Sequence, residues 1–176
     1  HGVHLDGDAA LETPGAAPEV AGRVDDAFTL EAWVRSGDPA QDGPARIVSS
    51  SDGTDLADVN VHLGQERHCL SIRIGVGDGD AEWLLVDRVF DRPRRAWHLV
   101  VTYERGTVRA YVDGRLRARA RTGGDGLDWD PGRPLLVGDE ATGDRGSRAD
   151  VSLVALYDRA LTPAEVRRNL AAGPTT

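Results

Sequence analysis

The sequence predicts an all-β fold, a two-sheet antiparallel β-sandwich with a short C-terminal helix. Three observations predict it. Residues 97–116, WHLVVTYERGTVRAYVDGRL, read as a three-strand meander with both turns written out. Strand-length segments recur along the chain between Gly- and Asp-rich turns, at the spacing of a sandwich or barrel. A single helix signature stands at the C-terminus. Antiparallel strands with one apolar face need a second layer to cover it, and a sandwich supplies that layer.

The elements follow in order. Val3–Leu5 is a short strand before the turn Asp6-Gly7. Phe28–Arg35 alternates: Phe28, Leu30, Ala32 and Val34 face one way, and Thr29, Glu31, Trp33 and Arg35 the other. Arg46–Ser50, Val59–Gly64 and Leu70–Gly75 are three further strands, and Ala81–Val86 follows the Gly-rich turn at 75–80. In the meander, Glu104-Arg105-Gly106 is a short turn and Asp113-Gly114 is the two-residue signal for a type I′ hairpin. Between these turns Val108, Ala110 and Val112 share one face, opposite Thr107, Arg109 and Tyr111. Residues 122–134 form a rim segment, and Pro134–Gly138 and Val151–Tyr157 complete the strands. The helix opens with Thr162 as N-cap, Pro163 at its first position and Glu165 completing a capping box. Leu161 and Val166 form a hydrophobic staple, and Gly173-Pro174 stops it.

At 176 residues the chain is read as one domain, 1–176, large enough to bury roughly 70% of its unfolded surface. Mean hydropathy is −0.38, and no apolar run approaches the ~20 residues of a membrane-spanning helix. A chain beginning at His1 without Met is expected to be a piece of a larger protein. The net charge of −8 argues against nucleic acid as a partner. All 21 basic residues are arginine. The single Cys69 leaves no internal disulfide and sits in an apolar pattern, where a buried, inert thiol is expected.

Five segments carry a resemblance: HLDGDAAL at 4–11, FTLEAWVR at 28–35, the meander at 97–116, LLVGDE at 135–140 and VSLVALYDRALTPAEV at 151–166. Their order and spacing resemble the LamG-like jelly-roll family of the concanavalin A-like lectin/glucanase superfamily. The resemblance implies two antiparallel sheets packed face to face, one of them concave. It also implies a module of a larger bacterial secreted or envelope-facing protein. The family contains sugar binders and protein-adhesion modules, so the implied partner is a glycan or a cell-surface protein. Relatives often carry an acidic pair in the strand before the tyrosine; aligned on Tyr157, this chain has Ser152 and Leu153 there.

Glycoside hydrolysis needs two carboxylates facing each other across the scissile bond. Glu31 is the one acid in the middle of an expected strand, so no enzyme is expected. The histidines lack zinc-ligand spacing, and His98, between apolar neighbours, reads as a structural imidazole. Calcium, in a structural role, is the metal that loop aspartates would suit. Asp8, Asp52, Asp55, Asp58, Asp139 and Asp144 are candidates. Asp6 with Asp150 is the preferred pair, because first and last strands usually meet in the implied fold. The same aspartates equally serve as turn formers. Sugars are gripped by an aromatic ring and by planar polar side chains. The outward residues supply such groups in Glu31, Trp33, Asn60, His62, Arg73 and Tyr111. Trp83 is either core or platform. The favoured function is therefore non-catalytic glycan binding. A protein-interaction or spacer module is the alternative, with that face closed by pairs such as Glu31 with Arg73; a glycosidase comes third.

Overall fold

The structure, a computed structural model, describes residues 2–8, 10–12, 20–53, 58–77, 80–92, 94–123 and 126–174. Its strands, in chain order, are β1 (Val3–Asp6), β2 (Leu11–Glu12), β3 (Ala27–Ser36), β4 (Ala45–Ser51), β5 (Val59–Glu66) and β6 (Cys69–Val76). They continue with β7 (Asp80–Val86), β8 (Ala96–Glu104), β9 (Thr107–Val112), β10 (Arg115–Arg121), β11 (Leu135–Val137) and β12 (Arg148–Tyr157). The helix α1 spans Pro163–Ala172. The strands form two six-stranded antiparallel sheets. The first runs β1-β12-β3-β8-β9-β10 and the second β2-β11-β4-β5-β6-β7. This is the expected sandwich, with β2 as a short strand not foreseen.

The core lies between the sheets. Phe28, Leu30, Ala32 and Val34 of β3 enter it beside Leu99, Val101 and Tyr103 of β8, all at most 1% exposed. From the other side come Val61, Leu63, Leu70, Ile72 and Ile74. A bulge between Arg46 and Val48 lets the consecutive residues Ile47 and Val48 both enter the core. Gly75 sits where a Cβ would collide with the backbone oxygen of Val59, so the end of β6 packs against the start of its neighbour β5 at a distance that suits glycine.

The outer face of the first sheet is covered by α1. Val100 and Tyr111 pack under Leu161 and Val166. This explains why β8 is a continuous apolar run rather than an alternating one: it is buried on both faces. Beneath the helix Glu31, 3% exposed, gathers three partners. His98 Nε2 is 2.8 Å from Oε1, while Tyr157 Oη and Asn169 Nδ2 donate to Oε2 at 2.8 and 2.7 Å. Burial pushes the Glu31 carboxyl up, but the bonds from His98, Asn169 and Tyr157 outweigh it and hold it below the ordinary value. Burial, and then the same contact, push the Tyr157 hydroxyl up to about 12.

The helix is capped as its sequence states, with both halves of the capping box formed and Gly173 N–H closing on Asn169 and Leu170. Asp113 (φ 49°) and Gly114 (φ 72°) both take the left-handed backbone that a type I′ turn requires. At the edge of the first sheet, β10 exposes Arg115, Arg117, Arg119 and Arg121 at alternate positions, charges that blunt an open strand edge. No helix among the described residues is long and apolar enough to cross a membrane.

Candidate functional site

On the outer face of the second sheet, strand register places Ser49 opposite His62, His62 opposite Arg73, and Arg73 opposite Trp83. These four side chains form a row across β4, β5, β6 and β7, deep at Ser49 and His62 and open at Trp83. Ser49 and His62 are at most 1% exposed, whereas Trp83 keeps 49% of its surface open. The indole Nε1 of Trp83 donates to Ser71 Oγ at 3.0 Å, which fixes the ring. The guanidinium of Arg73 lies 5.7 Å from the ring centre. Leu85, opposite Ser71, adds a second open apolar side chain.

The deep end is closed by residues 138–147. Asp139 Oδ1 accepts from the backbone N–H groups of Glu140 and Arg145 at 2.7 and 3.0 Å, and its carbonyl accepts from Ser49 Oγ at 2.8 Å. Glu140, 4% exposed, is thereby set between Arg46 Nε at 2.6 Å and Arg145 Nε at 2.8 Å. Arg46 is itself buried, and Gly64 opposite it leaves the space. His62 lies beside this pair with neither ring nitrogen hydrogen-bonded and its Nε2 3.8 Å from Glu140. Burial first, then the charges of Arg46, Arg73 and Arg145, push the imidazole down to about 2, so it is neutral at ordinary pH. Arg73 has no ion-pair partner among the described residues. Burial and the repulsion of Arg145 lower its pKa, against the attraction of Glu140. Three arginines therefore face one carboxylate, on a chain whose net charge is −8.

The residues expected from sequence divide between opposite faces. Asn60, His62 and Arg73 belong to this face. Glu31, Trp33 and Tyr111 lie on the outer face of the other sheet, so the six cannot meet one ligand, and Glu31 cannot pair with Arg73. Glu31 and Tyr111 are 3% and 2% exposed under α1 and are structural. Trp33 is half-buried against the His98 ring, 5.0 Å between centres. Asn60 is fully buried and occupied: it donates to Ser50 Oγ and Asp130 O and accepts from Asp130 N and Arg133 Nη1, clamping the rim loop. Sequence reasoning left Trp83 undecided, although Ala81, Trp83 and Leu85 alternate outward with Leu84 and Val86 inward. It missed Arg145 and Glu140, which no periodicity marks.

The expected calcium pair sits on the neighbouring strands β1 and β12, which meet as expected, with each acid opposite another residue. Asp6 lies opposite Arg148, and Asp150 is taken by His4 Nδ1 at 2.7 Å. Asp139 serves the backbone as described, Asp52 pairs with Arg133 at 3.1 Å, and Asp55 lies outside the described residues. Among the described residues one group offers three metal-ligand atoms within 4.8 Å of one another: His68, Cys69 and Asp87. Cys69 is thus at a half-open sheet end rather than buried. Burial and then Asp87 push its thiol up, which keeps it protonated.

The sequence pattern of the Laminin_G_3 family, described as the concanavalin A-like lectin/glucanases superfamily, matches residues 5–167, and the chain belongs to that family. No curated protein matches the sequence. Among solved structures, the CBM40 module of the Ruminococcus gnavus IT-sialidase, bound to α2,3 sialyllactose, superposes with a TM-score of 0.77 at 12% identity, over 98% of this chain and 96% of that one. The botulinum neurotoxin serotype G binding domain gives 0.66 at 14% identity over 84% of this chain. A botulinum neurotoxin type C structure, described as depending on two ganglioside molecules for cell entry, gives 0.69 at 8% identity over 98% of this chain. The chain spans 36% and 46% of those two toxin chains. At these identities the likeness is one of fold.

Proposed function

We propose that the chain is a non-catalytic glycan-binding module and that the outer face of the second sheet binds the sugar, with preference for an acidic one. The observation that carries this reading is Trp83, half-open and held in place by Ser71, beside an Arg73 with no ion-pair partner among the described residues. An open indole offers a sugar's C–H face a stacking surface. A partly desolvated guanidinium offers a carboxylate two parallel N–H donors. Arg145 adds positive charge behind it, and neutral His62 does not cancel that field. A ring of this kind also fits the glycan ligands named for the structural neighbours.

Catalysis is not part of the reading. Glu140 is buried and ion-paired with both Arg46 and Arg145, and hydrolysis needs a second acid facing it. We place the module in a larger extracellular or envelope-facing protein.

The test is a titration with 3′-sialyllactose and with lactose, followed by calorimetry. The acidic sugar is expected to bind more tightly, and Trp83→Ala or Arg73→Ala to weaken it about tenfold, on the order of 1.4 kcal/mol. Absence of binding to any acidic or neutral glycan at millimolar concentration would overturn the reading.

A further inference from the structure

Where the two sheets' edge strands β7 and β10 come together, residues 87–92 and 94–95, between β7 and β8, frame a cleft of about 540 Å³. Five arginines line it: Arg88, Arg92 and Arg95 from between β7 and β8, and Arg115 and Arg117 from β10. Asp91 and Asp113 are the acids among its lining residues. A surplus of positive charge is thus concentrated in one concavity of a chain whose net charge is −8. Charge gathered in a cleft against the sign of the whole molecule focuses the field on what enters it.

The arginines are not equivalent. Arg95 pairs with Asp113, and its guanidinium is stacked 3.9 Å from the ring centre of Trp97. Asp113 is fixed in turn by the His98 backbone N–H at 3.1 Å. This corner is a rigid, already neutralised floor, and the Trp97 Nε1–H within it is buried without a partner. Arg117 gives one N–H to the Asp87 carbonyl at 2.9 Å, and Arg88 meets Asp87 at 3.6 Å in the open. Arg92 and Arg115 have no ion-pair partner among the described residues. One lies between β7 and β8 and the other on β10, so unpaired guanidinium groups enter from two separate parts of the chain. Arg88 and Arg94 hold left-handed backbone, with φ of 54° and 62°, a conformation that costs a side-chain-bearing residue energy. The segment keeps this path despite that cost.

We infer that this cleft is a second binding site, distinct from the Trp83 face, for a compact ligand carrying at least two sulfate or phosphate ester groups. Guanidinium forks match the paired oxygens of such groups. Two unpaired arginines on different segments call for more than one anionic group on the ligand. A long polyanion such as duplex nucleic acid would meet the acidic remainder of the surface, whereas a compact one meets only the cleft. The inference does not rest on the glycan proposal, because it uses none of the same side chains.

The test uses the full chain and calorimetry at low ionic strength with three probes: a heparin-derived tetrasaccharide, its desulfated form, and inorganic tripolyphosphate. Binding of the sulfated sugar alone identifies sulfate esters as the natural chemistry, and binding of tripolyphosphate alone identifies phosphates. Binding of both shows that the cleft reads charge spacing. Each is expected to weaken with added salt. Arg92→Ala with Arg115→Ala should lower affinity at least roughly tenfold. Both side chains lack ion-pair partners, so the melting temperature should hold, and circular dichroism checks the fold. The control Arg23→Ala with Arg168→Ala removes the same charge elsewhere. The inference is overturned if neither charged probe binds, if the desulfated sugar binds equally, or if the control loses as much affinity as the cleft variant.

Discussion

His62 is held neutral inside the second sheet, with a pKa near 2 against an ordinary 6.5. As pH falls through 6.5 the unfolded chain gains a proton that the folded chain refuses. This residue therefore contributes a loss of stability that grows by about 1.4 kcal/mol per pH unit below that value. His62→Gln is expected to flatten the stability curve between pH 7 and 5 in chemical denaturation. Glu31 works with the opposite chemistry. Its folded pKa lies below the ordinary 4.5, so its contribution is complete above pH 4.5 and is lost as pH falls through the lower folded value. Glu31→Gln should cost about 2–3 kcal/mol at neutral pH, the worth of hydrogen bonds to a buried charge, and should remove part of the acid limb of a melting-temperature profile. Both roles were half-legible. The alternation of FTLEAWVR puts Glu31 on the outward face, but alternation does not say what covers that face. That His98, Tyr157 and Asn169 converge there is a fact of three segments far apart in sequence.

At the scale of elements, α1 is specified locally and used globally. Thr162, Pro163 and Glu165 start it and Gly173 ends it, all readable from the sequence, and Thr162→Ala should cost about 1 kcal/mol in a urea melt. What the ten-residue helix covers could not be read, because a short helix takes its stability from the surface it packs on. That surface is Val100, Tyr111 and Glu31, and its covering turns two expected ligand groups into interior ones. The contact between β5 and β6 gives a sharper test. Gly75→Ala places a methyl group against the Val59 carbonyl, so it should destabilise by about 1–3 kcal/mol, as overpacking does. An unchanged denaturation midpoint would show that the strands can separate there at little cost.

The whole molecule presents two positively charged concentrations on an acidic chain, one on the second sheet and one where the sheets' edges meet. They share no lining side chain named above, so their ligands should act independently. Trp83→Ala should weaken sialyllactose about tenfold and leave tripolyphosphate binding within experimental error, since separate sites add. Lowering the salt concentration should tighten both, the cleft more, because it carries more arginines. A common response of both ligands to each variant would mean that the chain attracts anions through one field and has no separate sites.

Periodicity, turn chemistry and the capping box are local properties, and they carried the fold. The meander at 97–116, the type I′ turn at Asp113-Gly114 and the staple of Leu161 with Val166 all needed only neighbours within a few residues. The arginines of the cleft were visible as residues but scattered, from Arg88 to Arg117, with nothing in their spacing to gather them. Tertiary structure decided which outward faces remained outward. It buried one beneath α1, closed part of another with residues 138–147, and left Trp83 and Arg73 open. The reason is physical: alternation along a strand fixes which side of a sheet a residue takes, whereas exposure depends on what a distant part of the chain lays over that side.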